Sequence, residues 1–222
     1  MPTPTLIYFA TRGRAELIRL VLAEAGVEYA EHPVTVGKNS PPANGRPVDF
    51  AELKATGQLA FEAVPVWEEP NGWRLAQSLA IANYLSRKHG LSGKTNEEQA
   101  LVEQALGGWE DMRAEVRKVA SAPAEQRAKV REDLTNTILP RWFGFFERLH
   151  EANGGGFLVG TALTTADLAL FHIVELAQDN GFGAALEKCP LVKAHYARIG
   201  QRPNLAAYVK SPRRHALLPL PR

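Results

Sequence analysis

Three side chains near the start of the sequence could do chemistry together. In "TLIYFATRGRAELIRLVLAEAG", Thr5–Gly26, a short apolar alternation gives way to a helical stripe. The changeover carries Tyr8, Arg12 and Arg14. A phenol titrates near ~10, so at neutral pH it is a proton donor, and a guanidinium is always a cation. A donor and positive charge at the start of a helix, whose own N–H groups point outward, suit an anion. The plainer reading is a tyrosine packed at a strand end and arginines in structural ion pairs. A second polar group lies in "LAQSLAIANYL". Gln77 and Ser78 precede an apolar helical run, where a hydroxyl and free N–H groups can meet a carboxylate, or where Ser78 simply caps the helix. The lone cysteine, Cys189, sits in "LEKCPLV" among apolar residues and reads as a small buried hydrophobe. A single cysteine excludes an intramolecular disulfide and a CxxC redox pair.

The elements that must position these groups follow from periodicity. Thr5–Phe9 reads as a strand. Leu17, Ile18, Val21, Leu22 and Ala25 give a helical face that ends at Gly26. "VEYAEHPVTV" reads as a second strand, completing β-α-β. Gly37–Asp49 reads as a long loop, followed by a short helix in "FAELKATG" closed by Gly57. "VPVWEEPNGWRLA" is a hairpin turning at Pro70-Asn71-Gly72. A helix from Ser78 follows, with Ile81, Ala82 and Leu85 on one face and Gly90 at its stop. After "HGLSGKTN" the pattern is helical, over 97–118, 124–150, 165–179, 190–200 and 204–209. Thr164 and Asp167 in "GTALTTADLALF" have capping-box spacing, with Leu163 and Leu168 at staple positions. Asp167 therefore reads as structural. The division expected is 1–88 as an α/β domain, 89–96 as a linker and 97–222 as an all-α domain.

Composition sets bounds on function. The 222 residues carry 26 basic and 24 acidic side chains, a net charge of +2, which gives no electrostatic reason to expect nucleic acid or an anionic membrane. No apolar run approaches the ~20 residues of a membrane span, and "MPTPTLIYF" lacks a signal-peptide pattern. A cytoplasmic protein is the expectation.

"YFATRGRAELIR", "VPV" before a hairpin, "LAQSLAIANYL" and "GTALTTADLALF" occur in order over essentially the whole chain. In this the sequence resembles the cytosolic glutathione transferases of the tyrosine type. "YF..RGRAE" with "QSLAIA.YL" looks most like the sigma class, related to alpha, mu and pi. The resemblance implies a thioredoxin-like α/β N-terminal domain that binds glutathione, an all-α C-terminal domain, a homodimer, and a cis peptide at Val64–Pro65. It implies glutathione as co-substrate, a small hydrophobic electrophile as second substrate, and no metal.

The resemblance also assigns roles. Tyr8 would hold the glutathione thiolate by a charge-assisted hydrogen bond, with Arg14 adding positive field. Gln77 and Ser78 would meet the γ-glutamyl end, and Val64 would pair its backbone with the tripeptide, aided by Ala63 and the bend at Pro65. Lys54 would meet the glycyl carboxylate, with Phe50 standing where the sigma class often has tryptophan. Arg46 is an alternative, because the loop of roughly Thr35–Asp49 is longer than the family norm. Glu103 would reach across the dimer to the α-amino group, or else be a solvated helix charge. Phe9, Arg12, Gly13, Leu106, Gly107, Trp109, Glu110 and Arg113 would wall the electrophile pocket. The paired glycines Gly107 and Gly108 suggest close approach of a ligand or another helix. Arg12 would alternatively pair with a carboxylate, and Trp109 would alternatively be core. The resemblance leaves open a glutathione-dependent isomerase or peroxidase, and a non-catalytic protein of the lens-crystallin kind.

Overall fold

The computed structural model describes residues 3–36 and 48–222. The segment 37–47, which includes Arg46, lies outside the described residues. The chain divides into two compact units. The first comprises the described residues up to His89 together with Ala206–Leu218. The second comprises Gly90–Leu205 and Pro219–Arg222.

The first unit is built on a five-stranded sheet of order β3-β2-β1-β4-β5. Strand β1 (Thr5–Phe9) leads through a 3₁₀ turn, Gly13–Ala15, into α1 (Glu16–Glu24) and back to β2 (Ala30–Thr35), parallel to β1. Leu17, Ile18, Leu20, Val21 and Leu22 of α1 are buried, each worth roughly 1.5–3 kcal/mol of transfer free energy. β4 (Val66–Glu68) and β5 (Arg74–Ala76) form the expected hairpin, with Gly72 at φ +84° in its turn. α3 (Ser78–Lys88) closes the α/β frame, with Ile81, Ala82 and Leu85 buried as its stripe requires.

Two details differ from the sequence reading here. Val48–Asp49, expected as loop, pairs with Val34 and Thr35 as the short strand β3, an edge too brief to show periodicity. Asp49 then caps α2 (Phe50–Ala55), accepting from the Ala51 N–H at 2.8 Å. Ser78 does not cap α3. It is the first helical residue and is buried, while Gln77 takes the capping position at φ +74° with no side-chain cap bond.

The second unit is helical. α4 (Asn96–Ser121), α6 (Leu139–Ala152), α7 (Thr165–Asp179) and α8 (Pro190–Gly200) pack around Trp109, Met112, Phe143, Leu170 and Val192. The helix expected over 124–150 is divided into four pieces, the last of them α6. The three shorter ones before it are a 3₁₀ turn at Ala124–Gln126, α5 (Arg127–Asp133), and a π-turn, Leu134–Ile138, that leads into α6. Pro140 explains the last break: it lacks an N–H and its ring crowds the carbonyl four residues back, so the helix widens before it. The capping box at Thr164 is present. Asp167 is fully buried and accepts from the N–H groups of Leu158 and Thr164, both at 2.8 Å. α9 (Pro203–Lys210) follows. No helix among the described residues is long and apolar enough to cross a membrane.

Candidate active site

Sheet topology gathers several of the candidate residues at one end of the first unit. β1 runs antiparallel to β4, with Ile7 opposite Val66, and Val66 is in turn opposite Ala76 of β5. The end of β1 therefore brings Tyr8 beside the start of β4, where Ala63, Val64 and Pro65 lie. Gln77 and Ser78 leave β5 at the same end. The Val64–Pro65 peptide is cis. Phe9, Phe50 and Val64 pack on a small core of Ile7, Val34, Leu59 and Val66. Phe50 lies edge-on to Phe9 at 5.5 Å, and the Lys54 ammonium stands 5.1 Å from the Phe50 ring. Lys54 is exposed and so free to reach an anion.

Tyr8 is 8% exposed. Its hydroxyl oxygen accepts the Arg14 backbone N–H at 2.9 Å and donates to no acceptor among the described residues. The resemblance stressed the Arg14 side chain, whereas the geometry brings in the Arg14 main chain as well. Gly13 sits directly against the phenol. At φ +40°, a Cβ there would lie 2.5 Å from the Tyr8 oxygen. Gly13 thus supports Tyr8 rather than only lining a second-substrate pocket. Gln77, exposed at positive φ in a non-glycine residue, holds a backbone conformation that costs energy and recurs at functional positions.

Around this turn lies a charged network the sequence did not reveal. Arg19 is fully buried on α1. It grips Glu31 of β2 with two nitrogens, at 2.7 and 3.2 Å, and donates to the carbonyls of Thr11 at 2.8 Å and Arg12 at 3.3 Å. Tyr29 and His215 also contact Glu31, at 3.2 and 2.7 Å. Burial alone would raise the Glu31 carboxyl, but the hydrogen bonds from His215 and Arg19 outweigh it and hold the group at about 2. Glu16, also fully buried, accepts from Arg214 at 2.9 Å and Tyr208 at 3.2 Å. Burial, then neighbouring Glu16, pushes the Tyr208 phenol up, so it remains a donor. The one sequence clue was Arg19 itself, a charge set between the apolar positions Ile18 and Leu20. Arg12, expected near a carboxylate or the second substrate, donates its Nε to the His215 carbonyl at 3.2 Å.

In the second unit, Leu106 and Trp109 are each 1% exposed and pack in its core. Arg113 is buried too, paired with Glu110 at 3.0 Å and lying over the Trp109 ring. The paired glycines mark no tight approach among the described residues. A Cβ on Gly107 would meet nothing within 4 Å, and one on Gly108 would make ordinary contacts with Trp142 and Phe146. Glu103 is exposed on α4. Cys189 is buried and its thiol is pushed up by that burial, as a small hydrophobe requires. Among the described residues no group of His, Cys, Asp and Glu side chains is arranged to hold a metal ion.

Comparison with known proteins decides the family. The glutathione S-transferase N-terminal domain matches residues 4–87, and its C-terminal domain matches 110–212. The glutathione S-transferase alpha-2 of Rattus norvegicus is 34% identical over 212 residues, covering 93% of this chain and 88% of its own. The chain belongs to the glutathione S-transferase family. Its fold is that of the family, a thioredoxin-like α/β sheet domain followed by a helical domain. A glutathione S-transferase from the hookworm Necator americanus, described as monomeric, superposes with a TM-score of 0.79 at 29% identity, covering 95% of this chain and 97% of that one. The prostaglandin synthase D of Nilaparvata lugens superposes with a TM-score of 0.77 at 26% identity, covering 95% and 98%. Glutathione transfer is therefore the activity of this enzyme.

Proposed function

We propose that the enzyme works by ionising the glutathione thiol against Tyr8, so that the thiolate attacks a soft, hydrophobic electrophile. The observation that carries this reading is the Tyr8 hydroxyl. It accepts from the Arg14 N–H at 2.9 Å and keeps its own proton without a protein acceptor among the described residues. A phenol held in this way is oriented to donate to an anion. A hydrogen bond to a charged partner is worth about 1.5–3 kcal/mol, which lowers a thiol by roughly one to two pKa units. From a free value near ~8.5, this turns a minor thiolate fraction at neutral pH into a large one. The Arg14 cation adds to the same field.

The glutathione backbone would extend the sheet beside Val64, with Ala63 and Pro65 shaping that edge. Its γ-glutamyl carboxylate would meet Gln77, Ser78 and the N-terminus of α3. Lys54, beside Phe50, would take the glycyl carboxylate. Residues 1–88 would form the glutathione-binding domain and 97–222 the helical one, in a cytoplasmic enzyme. Motifs around Tyr8 and Gln77 favour the sigma class, while the alpha-class relative shares the same frame over most of its length. Isomerase or peroxidase chemistry would use the same thiolate. The comparisons favour transfer over it and over a non-catalytic role.

The same reading includes a homodimer, with Glu103 of one protomer reaching the ligand of its partner. An apolar groove between α4 and α6 supports it. Ala105, Trp142, Phe145 and Phe146 line a cavity of about 350 Å³, which adjoins another of about 150 Å³ beside Leu101 and Val159. Sedimentation at micromolar concentration tests the assembly, and a monomer there removes it. For the chemistry, Tyr8→Phe keeps the ring and deletes the donor. Turnover of a chromogenic aryl halide then falls about ten- to a hundredfold. Unchanged turnover removes Tyr8 from the mechanism.

A further inference from the structure

The turn that presents the Tyr8 hydroxyl is short, takes positive φ at Gly13, and is held from outside itself. Two of its carbonyls, Thr11 and Arg12, accept from the buried Arg19. Further support comes from residues about two hundred positions later. The Arg12 N–H donates to the Ala216 carbonyl at 3.3 Å, and the Arg12 Nε to the His215 carbonyl at 3.2 Å. That late segment is fixed in turn by two carboxylates of the α/β frame. Arg214 holds Glu16 at 2.9 Å and His215 holds Glu31 at 2.7 Å, and Glu31 is the carboxylate that also anchors Arg19. Arg213 adds a hydrogen bond to the Tyr29 carbonyl at 3.2 Å and lies over the Tyr29 ring. Both arms of support therefore converge on Glu31, and both end on the turn Thr11–Arg14.

We infer that Arg213–Ala216 is a positioning clamp for the active site: anchored on Glu16 and Glu31, it fixes the turn so that the Arg14 N–H and Gly13 hold the Tyr8 hydroxyl in place. His215 and Arg214 are positioning residues, acting on the thiolate through Tyr8 and not by contact with it. The inference rests on the proposed role of Tyr8. Its physical basis is that a hydroxyl stabilises an anion only while its own oxygen is held. The Arg14 N–H can hold it only while the turn keeps its shape. Loosening the turn by a fraction of an ångström weakens the donor without removing it.

The test compares Arg214→Ala/His215→Ala with His215→Gln, whose amide N–H can still donate to Glu31. His215→Ala alone is the fallback should the double variant fail to fold. Two quantities are read: the pKa of the bound glutathione thiol, by thiolate ultraviolet absorbance, and the split between kcat and the KM for glutathione. Releasing the clamp raises the thiol pKa and lowers kcat about five- to tenfold, with KM for glutathione little changed, and His215→Gln restores both. In a Tyr8→Phe background the release produces no further loss, because the clamp acts through the group already removed. If release changes neither pKa nor kcat while Tyr8→Phe changes both, the clamp is wrong and the Tyr8 role stands. An equal further loss in the Tyr8→Phe background also overturns the clamp. If Tyr8→Phe leaves the thiol pKa unmoved, both inferences fall together.

Discussion

Gly13→Ala is the smallest change that challenges the placement of the Tyr8 hydroxyl. The added Cβ would lie 2.5 Å from the phenol oxygen, 3.0 Å from Cε1 and 3.2 Å from Cζ, whereas ordinary contact begins at 3.4 Å. The oxygen must therefore retreat by 3.4 − 2.5 = 0.9 Å, or the turn must open by as much. Either movement stretches the 2.9 Å bond from the Arg14 N–H. Displacement on the order of 1 Å at a reacting group can cost about a hundredfold. Backbone strain adds to this. Gly13 sits at φ +40°, where a side chain costs about 1–2 kcal/mol of stability. The two effects separate with Gly72→Ala, which has the same kind of strain at φ +84° but nothing within 4 Å of the new Cβ. Denaturant melts and aryl-halide turnover are measured for both. The expected result is a similar loss of stability in each, with a ten- to hundredfold loss of turnover confined to Gly13→Ala. Equal turnover in the two variants would refute the idea that close packing against Gly13 positions the phenol.

Asp167→Ala strips the acceptor from two buried N–H groups, those of Leu158 and Thr164, and lowers stability by about 2–6 kcal/mol in a denaturant melt. A loss below 1 kcal/mol would mean that water or a local shift satisfies them. His195 is fully buried, 2.9 Å from His150, and burial lowers it from 6.5 to about 4. The unfolded chain binds a proton there before the folded one does, so its contribution is complete above pH 6.5 and lost as pH falls towards 4. The stability difference between wild type and His195→Gln therefore shrinks by about 3 kcal/mol over that window. Asp167, raised by burial from 3.8 to about 6, has the opposite slope, its contribution lost as pH rises through that range; its Oδ1 lies 3.8 Å from His195 Nε2, so Asp167→Asn and the double variant are measured alongside to separate the two titrations. A flat difference curve would contradict the burial of a neutral His195. Glu31→Gln removes a group held at about 2 in place of 4.5. Its stabilisation is present above pH 4.5 and fades below, so the variant is the less stable form at pH 6 and approaches wild type by pH 2.

Elements with a period or a punctuating residue were legible in the sequence. Alternation over Thr5–Phe9 ended β1 near Tyr8, the Asn71-Gly72 pair fixed the hairpin, and Thr164 with Asp167 announced the start of α7. The motif around Tyr8 was readable because strand, turn and helix are contiguous there. The departures have a common cause in non-local geometry. Ser78 reads as a cap by type, yet Gln77 at positive φ takes the capping place. Which face of α4 turns inward, with Trp109 and Leu106 on it, likewise depends on what α7 presents, so periodicity alone left the two readings of Trp109 open. Arg19, Glu31 and His215 carry no shared pattern because up to 184 positions separate the partners. Such a network is visible only once the chain has brought them together.

The most direct test titrates the glutathione thiol in its complexes with the wild-type enzyme and with Tyr8→Phe, following thiolate absorbance against pH. The account expects the thiol in the wild-type complex to ionise roughly one to two units below its value of about 8.5 in water, and to return most of that distance when the phenolic hydroxyl is removed. Identical titration curves for the two complexes would contradict it.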